Sequence, residues 1–265
     1  MTFRLLTFNC LWQGAARQRL AAIAPVLDKS DVDFLCLQEV TQRRNVELLQ
    51  RLLPSYQPAQ FRPYGVAVTG GLVSFARRPV KHSSFEVFRG RGPHWTLGWA
   101  DRLLRKGFLI SWLQVEALPV VVVNTHMLAN YDEDWTPGNR FARQQHADLG
   151  QLADAVRRLD SEALVIVAGD LNVPMTSPML EELMAACHLS HAFASEPGPV
   201  RPTIRHSRPD RPPQTIDHIL FRAPAGQSMR VTARLGFEEP LLLASSRREF
   251  ASDHLAVEAE FTFDP

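Results

Sequence analysis

The 265-residue sequence predicts an α/β fold. Short apolar runs rich in β-formers recur along the whole chain. Segments with helical spacing fall between several of them. The runs are also continuous rather than alternating, as in sheets covered on both faces.

FRLLTF (3–8) opens the chain as a strand. Leu20, Ile23, Ala24 and Leu27 then share one helical face, interrupted by Pro25, before DFLCLQ (33–38) forms the next strand. LVSFA (72–76) is a third. FLISWLQV (108–115) and VVVVNTH (120–126) follow with no helix between them, which predicts an antiparallel hairpin. Phe141, Leu149, Leu152, Val156 and Leu159 share a helical face, with Asn139 or Thr136 as its cap, and ALVIVAG (163–169) follows as a strand. A further helix starts after Ser177, with Pro178 in its first turn and Leu180, Leu183 and Met184 inward. TIDHILF (215–221) and HLAVEAEF (254–261) complete the strands. The Pro- and Arg-rich stretch Pro197–Pro213 reads as a long surface loop. With no repeat and no linker, a single domain spanning 1–265 is expected.

The composition is that of a soluble globular chain, 45% hydrophobic and 22% charged. A net charge of +1 provides no general field for nucleic acid. Arg77, Arg78, Lys81, Arg89, Arg91, Arg102, Arg105 and Lys106 nevertheless crowd one stretch, either as a solvated surface or around an anionic ligand. Cys10, Cys36 and Cys187 match no disulfide or zinc spacing, and the first two pack as small hydrophobes. The start of the chain lacks a signal-peptide pattern and no run is long enough to span a bilayer, so a cytoplasmic soluble protein is expected; a monomer is the expected state.

Function is legible in where the polar residues fall. Asn9, Glu39, Asn124, His126, Asp170 and Asn172 stand at strand ends, Asp217 interrupts a strand-like run, and Asp253 and His254 open the last strand. Singly, each is an ordinary turn residue. Together, at one sheet edge, they make a site, because strand ends converge there. Carboxylates with carboxamide oxygens suit a hard divalent cation, and histidines suit proton transfer and phosphate contact. Cys10 and Trp12 beside Asn9 read as packing. His94, His146, His188, His191, His206 and His218 read as surface or core residues, with His218 turned to the far face by strand alternation.

The ordered motifs TFN (7–9), LQEV (37–40), NTH (124–126), GDLN (169–172), TIDHI (215–219) and SDH (252–254) resemble those of the endonuclease/exonuclease/phosphatase, or DNase I-like, superfamily. The resemblance implies a four-layer α/β/β/α sandwich with two central mixed sheets. It implies Mg²⁺, with Mn²⁺ as a substitute, held principally by Glu39, with Asn9 as ligand or orienting group and Asp253 at the metal or its water. Asp170 and Asn172 would position the attacking water and the phosphate. His126 would contact a phosphate oxygen, and His254, paired with Asp217, would be a general base or a second phosphate contact. Lys106 and Asn124 would bind substrate. One-metal and two-metal schemes both remain open.

For the substrate, Val40 after Glu39 and His126 at the end of NTH depart from abasic-site endonucleases, and the pattern of inositol-polyphosphate 5-phosphatases is missing. THMLANY (125–131), followed by Arg140 and Gln144, resembles neutral sphingomyelinases and phospholipases C. That resemblance implies a phosphodiesterase acting on lipid headgroups, and leaves open peripheral membrane contact through the 88–106 loop. Trp95, Trp99 and Trp135 would touch lipid, stack on bases or pack in the core. A Mg²⁺-dependent nuclease is the alternative, and an inactive binding module the alternative from another class.

Overall fold

The computed structural model describes residues 1–90, 105–196, 198–205 and 213–263. In the first sheet β1 (Thr2–Asn9) runs parallel to β2 (Phe34–Gln38), and α1 (Ala16–Lys29) crosses between them. Three antiparallel neighbours complete this sheet: β5 (Val73–Ala76) on β2, β15 (Ala256–Phe263) on β1, and β12 (Met229–Gly236) on β15. In the second sheet β8 (Leu118–His126) and β9 (Leu164–Asp170) are parallel and joined by α3 (Arg140–Arg157). β7 (Gly107–Val115) and β6 (Val80–Val87) extend it on one side, β11 (Asp217–Arg222) and β10 (Ser190–His191) on the other. α2 (Arg43–Leu52), α4 (Pro178–Cys187) and two small hairpins, β3–β4 (Pro63–Tyr64, Ala67–Val68) and β13–β14 (Leu241–Leu242, Arg248–Glu249), complete the described elements.

The sheets pack face to face, with Phe3, Phe34 and Phe261 of one against Val120, Ile166 and Ile219 of the other. α1 and α2 cover the outer face of the first sheet through Leu20, Ile23 and Leu49. α3 and α4 cover that of the second through Leu152, Val156 and Leu183. Burying each such side chain stabilises by roughly 1.5–3 kcal/mol. The four-layer mixed sandwich is therefore the observed fold.

Local chemistry explains the helices. Asn139, not Thr136, caps α3, its side-chain oxygen accepting from the N–H groups of Phe141 and Ala142. Ser177 caps α4 with Pro178 next, and His188 ends it in the left-handed region at φ 55°. Pro25 stays inside α1 because it lies on the exposed side, where water can satisfy the carbonyl it deprives of a donor. α2 and β12 were not anticipated. α2 buries only Asn45, Val46 and Leu49 in an otherwise polar segment, and β12, at a sheet edge, buries only Val231.

One sequence expectation is corrected. Asp217 begins β11 rather than interrupting it, because β11 runs antiparallel to β9 and starts opposite Asp170. Among the described residues of the basic stretch, Arg77 has a structural use: it donates to the carbonyls of Asp28, Ser30 and Val32, packs over Tyr56 and closes the end of α1. Arg91, Arg102, Trp95, Trp99, His94 and His206 lie outside the described residues. All three cysteines are free and buried. Among the described residues no helix is long and apolar enough to cross a membrane.

Strand alternation turns His218 away from Asp217, as expected, into a buried pair with His191. The Phe193 N–H donates to His191 Nδ1, so His191 Nε2 donates to His218 Nδ1 (3.0 Å), and His218 Nε2 donates to the Val173 carbonyl (2.8 Å). Burial lowers His191 to about 4, and burial with the neighbouring His191 lowers His218 to about 3. Each ring is neutral in the folded chain but takes a proton on unfolding. Stability is thus whole above pH 6.5 and is lost as pH falls toward 4, by on the order of 3 kcal/mol per ring. A His191→Gln/His218→Gln variant should show a shallower fall in urea midpoint between pH 6.5 and 4. An unchanged slope would remove the pair as its source.

Candidate active site

β1, β2, β8 and β9 end at one edge of the sandwich, where β11 and the segment before β15 begin. Two close approaches set that edge. A Cβ on Gly169 (φ 148°) would lie 1.9 Å from the Thr125 carbonyl oxygen, so only glycine lets β9 lie this close to β8. Glu39 turns out of β2 with φ 62°, its backbone packed against Gly71, and that left-handed turn aims its carboxylate along the sheet edge.

A continuous array results. Asn9 Nδ2 donates to Glu39 Oε1 (3.3 Å) and to Asp170 Oδ2 (3.0 Å), while its Oδ1 accepts from the Leu11 N–H (3.1 Å). The Trp12 N–H donates to Glu39 Oε2 at 2.8 Å. In this arrangement Asn9 orients both carboxylates, its own oxygen being engaged. Asp170 Oδ1 accepts from the Asn172 N–H (2.9 Å). Its Oδ2 lies 3.5 Å from His126 Nε2 and 3.9 Å from His254 Nε2. Asp217 Oδ2 accepts from His254 Nδ1 at 2.8 Å, leaving Nε2 to face Asp170. Asp253, half-buried, accepts from its neighbour Ser252.

Burial and charge divide the roles of these groups. Burial lowers His126 well below its usual value, helped by Lys106 and His254, so its ring is neutral. Lys106 Nζ, 3.0 Å from His126 Nε2, also donates to the Met127 carbonyl (2.7 Å) and is itself buried. Burial also opposes charge on His254, but Asp217, Asp170 and Asp253 outweigh it and push the ring up to about 10. Burial and the Asp217 charge push Asp170 up to about 7.

Asn9, Glu39, His126, Asp170, Asn172, Asp217, Asp253, His254 and Lys106 all stand at this edge. Asn124 is the exception and is corrected. It is wholly buried between the sheets, its Nδ2 directed at Leu37 O, Val73 O and Ser74 Oγ while its Oδ1 accepts from Gln38. It ties the two sheets together beneath the site and has no atom left for substrate. Sequence reasoning missed its partner Gln38, which also donates to Thr7. It also missed Gln145 in favour of Gln144, which instead donates to Asp148 on the same helix. A polar residue within the apolar stripe of α3 was the available signal.

The donor set fits a hard divalent cation. Asp170 and Asp217, with His254, bring ligand atoms within 4.8 Å of one another, and Glu39 lies across Asn9 from them. Asp217 Oδ1 is buried with no hydrogen-bond partner, and Asp170 carries an unfavourable buried charge. A cation would relieve both. Because His254 Nδ1 is committed to Asp217 Oδ2, His254 stands as the histidine of a dyad rather than as a ligand, and the carboxylates supply the oxygens for a cation.

The class defined by fold and site is a four-layer α/β sandwich with a buried carboxylate–histidine centre at converging strand ends. The chain belongs to the Endonuclease/Exonuclease/phosphatase family, which residues 6–254 match. It is 27% identical over 184 residues to the inositol phosphosphingolipids phospholipase C of Schizosaccharomyces pombe, covering 66% of this chain and 42% of that protein. It is 24% identical over 157 residues to the sphingomyelinase C of Listeria ivanovii, covering 57% and 45%. The match thus spans less than half of each relative. Among solved structures, SmcL superposes with TM-score 0.74 at 17% identity, covering 98% of this chain and 99% of that one. A Staphylococcus aureus beta toxin variant with bound magnesium ions superposes at 0.71 and 15%, covering 98% and 99%. These likenesses bear on the fold.

Proposed function

We propose that this chain is a Mg²⁺-assisted phosphodiester hydrolase of the sphingomyelinase/phospholipase C type. The observation that carries the reading is the Asp217–His254 dyad, with His254 Nε2 turned to the buried Asp170 carboxylate beside Asn9 and Glu39. Both curated relatives are named for cleaving phosphorylated sphingolipids.

Glu39, oriented by Asn9, would hold Mg²⁺ together with the carboxylate side of the site, and Asp253 would lie at its water. The ion, when bound, supplies a Lewis acid for a phosphoryl oxygen. The chain's own groups do the rest. Asp170, fixed by the Asn9 amide and the Asn172 N–H, orients the attacking water. As the water oxygen bonds to phosphorus, the bond from phosphorus to the leaving alcohol breaks. Asp217 holds the proton on His254 Nδ1 and supports its basicity, so Nε2 is the atom that exchanges a proton with the reacting groups. Nε2 would accept the attacking water's proton, the pull of the carboxylates on the ring being offset when a cation is held there, and would pass that proton to the leaving alcohol. His126, neutral, and Lys106 bind phosphate oxygens.

A lipid substrate is also supported by the rim. Trp12, whose N–H holds Glu39, is 47% exposed, and Tyr64 and Val66, on the β3–β4 hairpin beyond Thr41, are 57% and 88% exposed. Arg105, next to Lys106, packs over the Tyr64 ring. Aromatic and cationic side chains side by side suit a lipid–water boundary.

The test is a Mg²⁺-dependent hydrolysis panel with His254→Ala as the blank. Sphingomyelin and phosphatidylcholine micelles are set against plasmid DNA, single-stranded DNA and RNA. Release of phosphocholine without nucleic-acid cleavage is expected. Nucleic-acid cleavage alone would make the chain a nuclease, and no turnover of any kind would leave an inactive binding module.

A further inference from the structure

We infer that Gln145 is a positioning residue that holds Asn172 in its place at the reacting phosphate. The inference rests on the site assignment proposed above for Asn172.

Gln145 lies on α3 between Phe141 and Leu149, in the stripe that faces the second sheet, and is wholly buried. A primary amide there is costly unless bonded, and its Nε2 donates twice, to the carbonyls of Leu128 and of Asn172, each at 2.8 Å. These carbonyls lie in the segments that leave β8 and β9, just beyond His126 and Asp170. One side chain from the crossover helix therefore spans both catalytic segments.

Asn172 needs such a hold. Its backbone is left-handed at φ 52°, so other backbone conformations compete with the one seen. Its carbonyl also accepts from Trp135 Nε1 at 3.2 Å, and its side-chain amide donates to the Met127 carbonyl at 3.1 Å, the oxygen Lys106 also uses. Half-buried Trp135 thus supports the site from the loop ahead of α3. Two donors on one carbonyl fix the peptide after Asn172, and through it the direction of the Asn172 side chain relative to His126 and Lys106. Misplacing a positioning group by about 1 Å costs on the order of 10²-fold in rate.

The test uses bis(p-nitrophenyl) phosphate with Mg²⁺, which asks for phosphodiester cleavage without assuming a lipid. Gln145→Leu fills the same space without donors and is expected to lower kcat about 10–100-fold with KM within about twofold. Trp135→Phe keeps the ring, loses the N–H and should lower kcat less. Combined with Gln145→Leu it should cost more than the product of the two, because the carbonyl then has neither donor. The deciding background is Asn172→Gly, which removes the side chain while tolerating the left-handed backbone. There, Gln145→Leu should change kcat by less than about twofold while still lowering Tm as it does in the parent chain. Equal fold-losses in the parent and Asn172→Gly backgrounds would overturn the inference and leave Gln145 a packing residue. Should Gln145→Leu not fold, Trp135→Phe in the two backgrounds makes the same comparison. A normal rate for Asn172→Gly alone would overturn the Asn172 assignment and this inference with it. That result is distinct from equal losses on top of an already slow Asn172→Gly.

Discussion

His254→Ala is expected to lower phosphodiester turnover by about 10²–10⁴-fold, the range for a group that moves a proton in the transition state. His254 is 7% exposed, its Nδ1 is bonded to Asp217 at 2.8 Å and its Nε2 faces Asp170. Alanine leaves the Asp217 carboxylate buried without its histidine partner, so Tm should fall, while circular dichroism should show the fold retained. The same dyad predicts a companion result. Asp217→Asn removes the charge that most strongly raises His254, so the pH–rate limb governed by that ring should move to lower pH as the rate falls. Near-parental turnover in His254→Ala would end its role, and an unshifted profile in Asp217→Asn would end the pairing.

Exhaustive chelation is expected to reduce turnover to background, with recovery on adding Mg²⁺ or Mn²⁺. Asp170 and Asp217 sit close together in a buried site, Asp217 Oδ1 lacks any hydrogen-bond partner, and the Asp217 charge helps hold Asp170 near 7. A bound cation offsets that repulsion, so Mg²⁺ should also raise stability by RT ln(1 + [L]/Kd), about 2.7 kcal/mol at a hundredfold excess over Kd, and Tm with it. Glu39→Gln should weaken that rise at a given Mg²⁺ concentration. Full activity after chelation, with no change of Tm on adding Mg²⁺, would remove the metal from the mechanism.

The sequence by itself determined the class of fold and singled out most of the residues that meet at the candidate site. Continuous β-rich runs alternating with helical stripes demanded covered sheets, since those strands are apolar on both faces and have nowhere else to put them. Asn9, Glu39, His126, Asp170, Asn172, Asp217, Asp253 and His254 were legible because strand ends are where a buried sheet gives way to solvent, and carboxylates and histidines there need a use. The far-facing His218 followed from strand alternation alone.

Only the tertiary structure decided which polar groups meet. Asn124 sits in the same strand-end motif as His126 but two residues deeper, where the facing sheet supplies Gln38, Leu37, Val73 and Ser74 as partners, so it became a tie between sheets. Gln145 and Gln144 are adjacent in sequence, yet the 100° step of the helix directs one to the segments that leave β8 and β9 and the other to Asp148. Arg77 stands in the basic stretch with Lys106, but the fold sends it to the end of α1 while Lys106 reaches His126. Pairings across a sandwich depend on long-range register, and a one-dimensional pattern carries residue type and periodicity but not the partner on the opposite sheet.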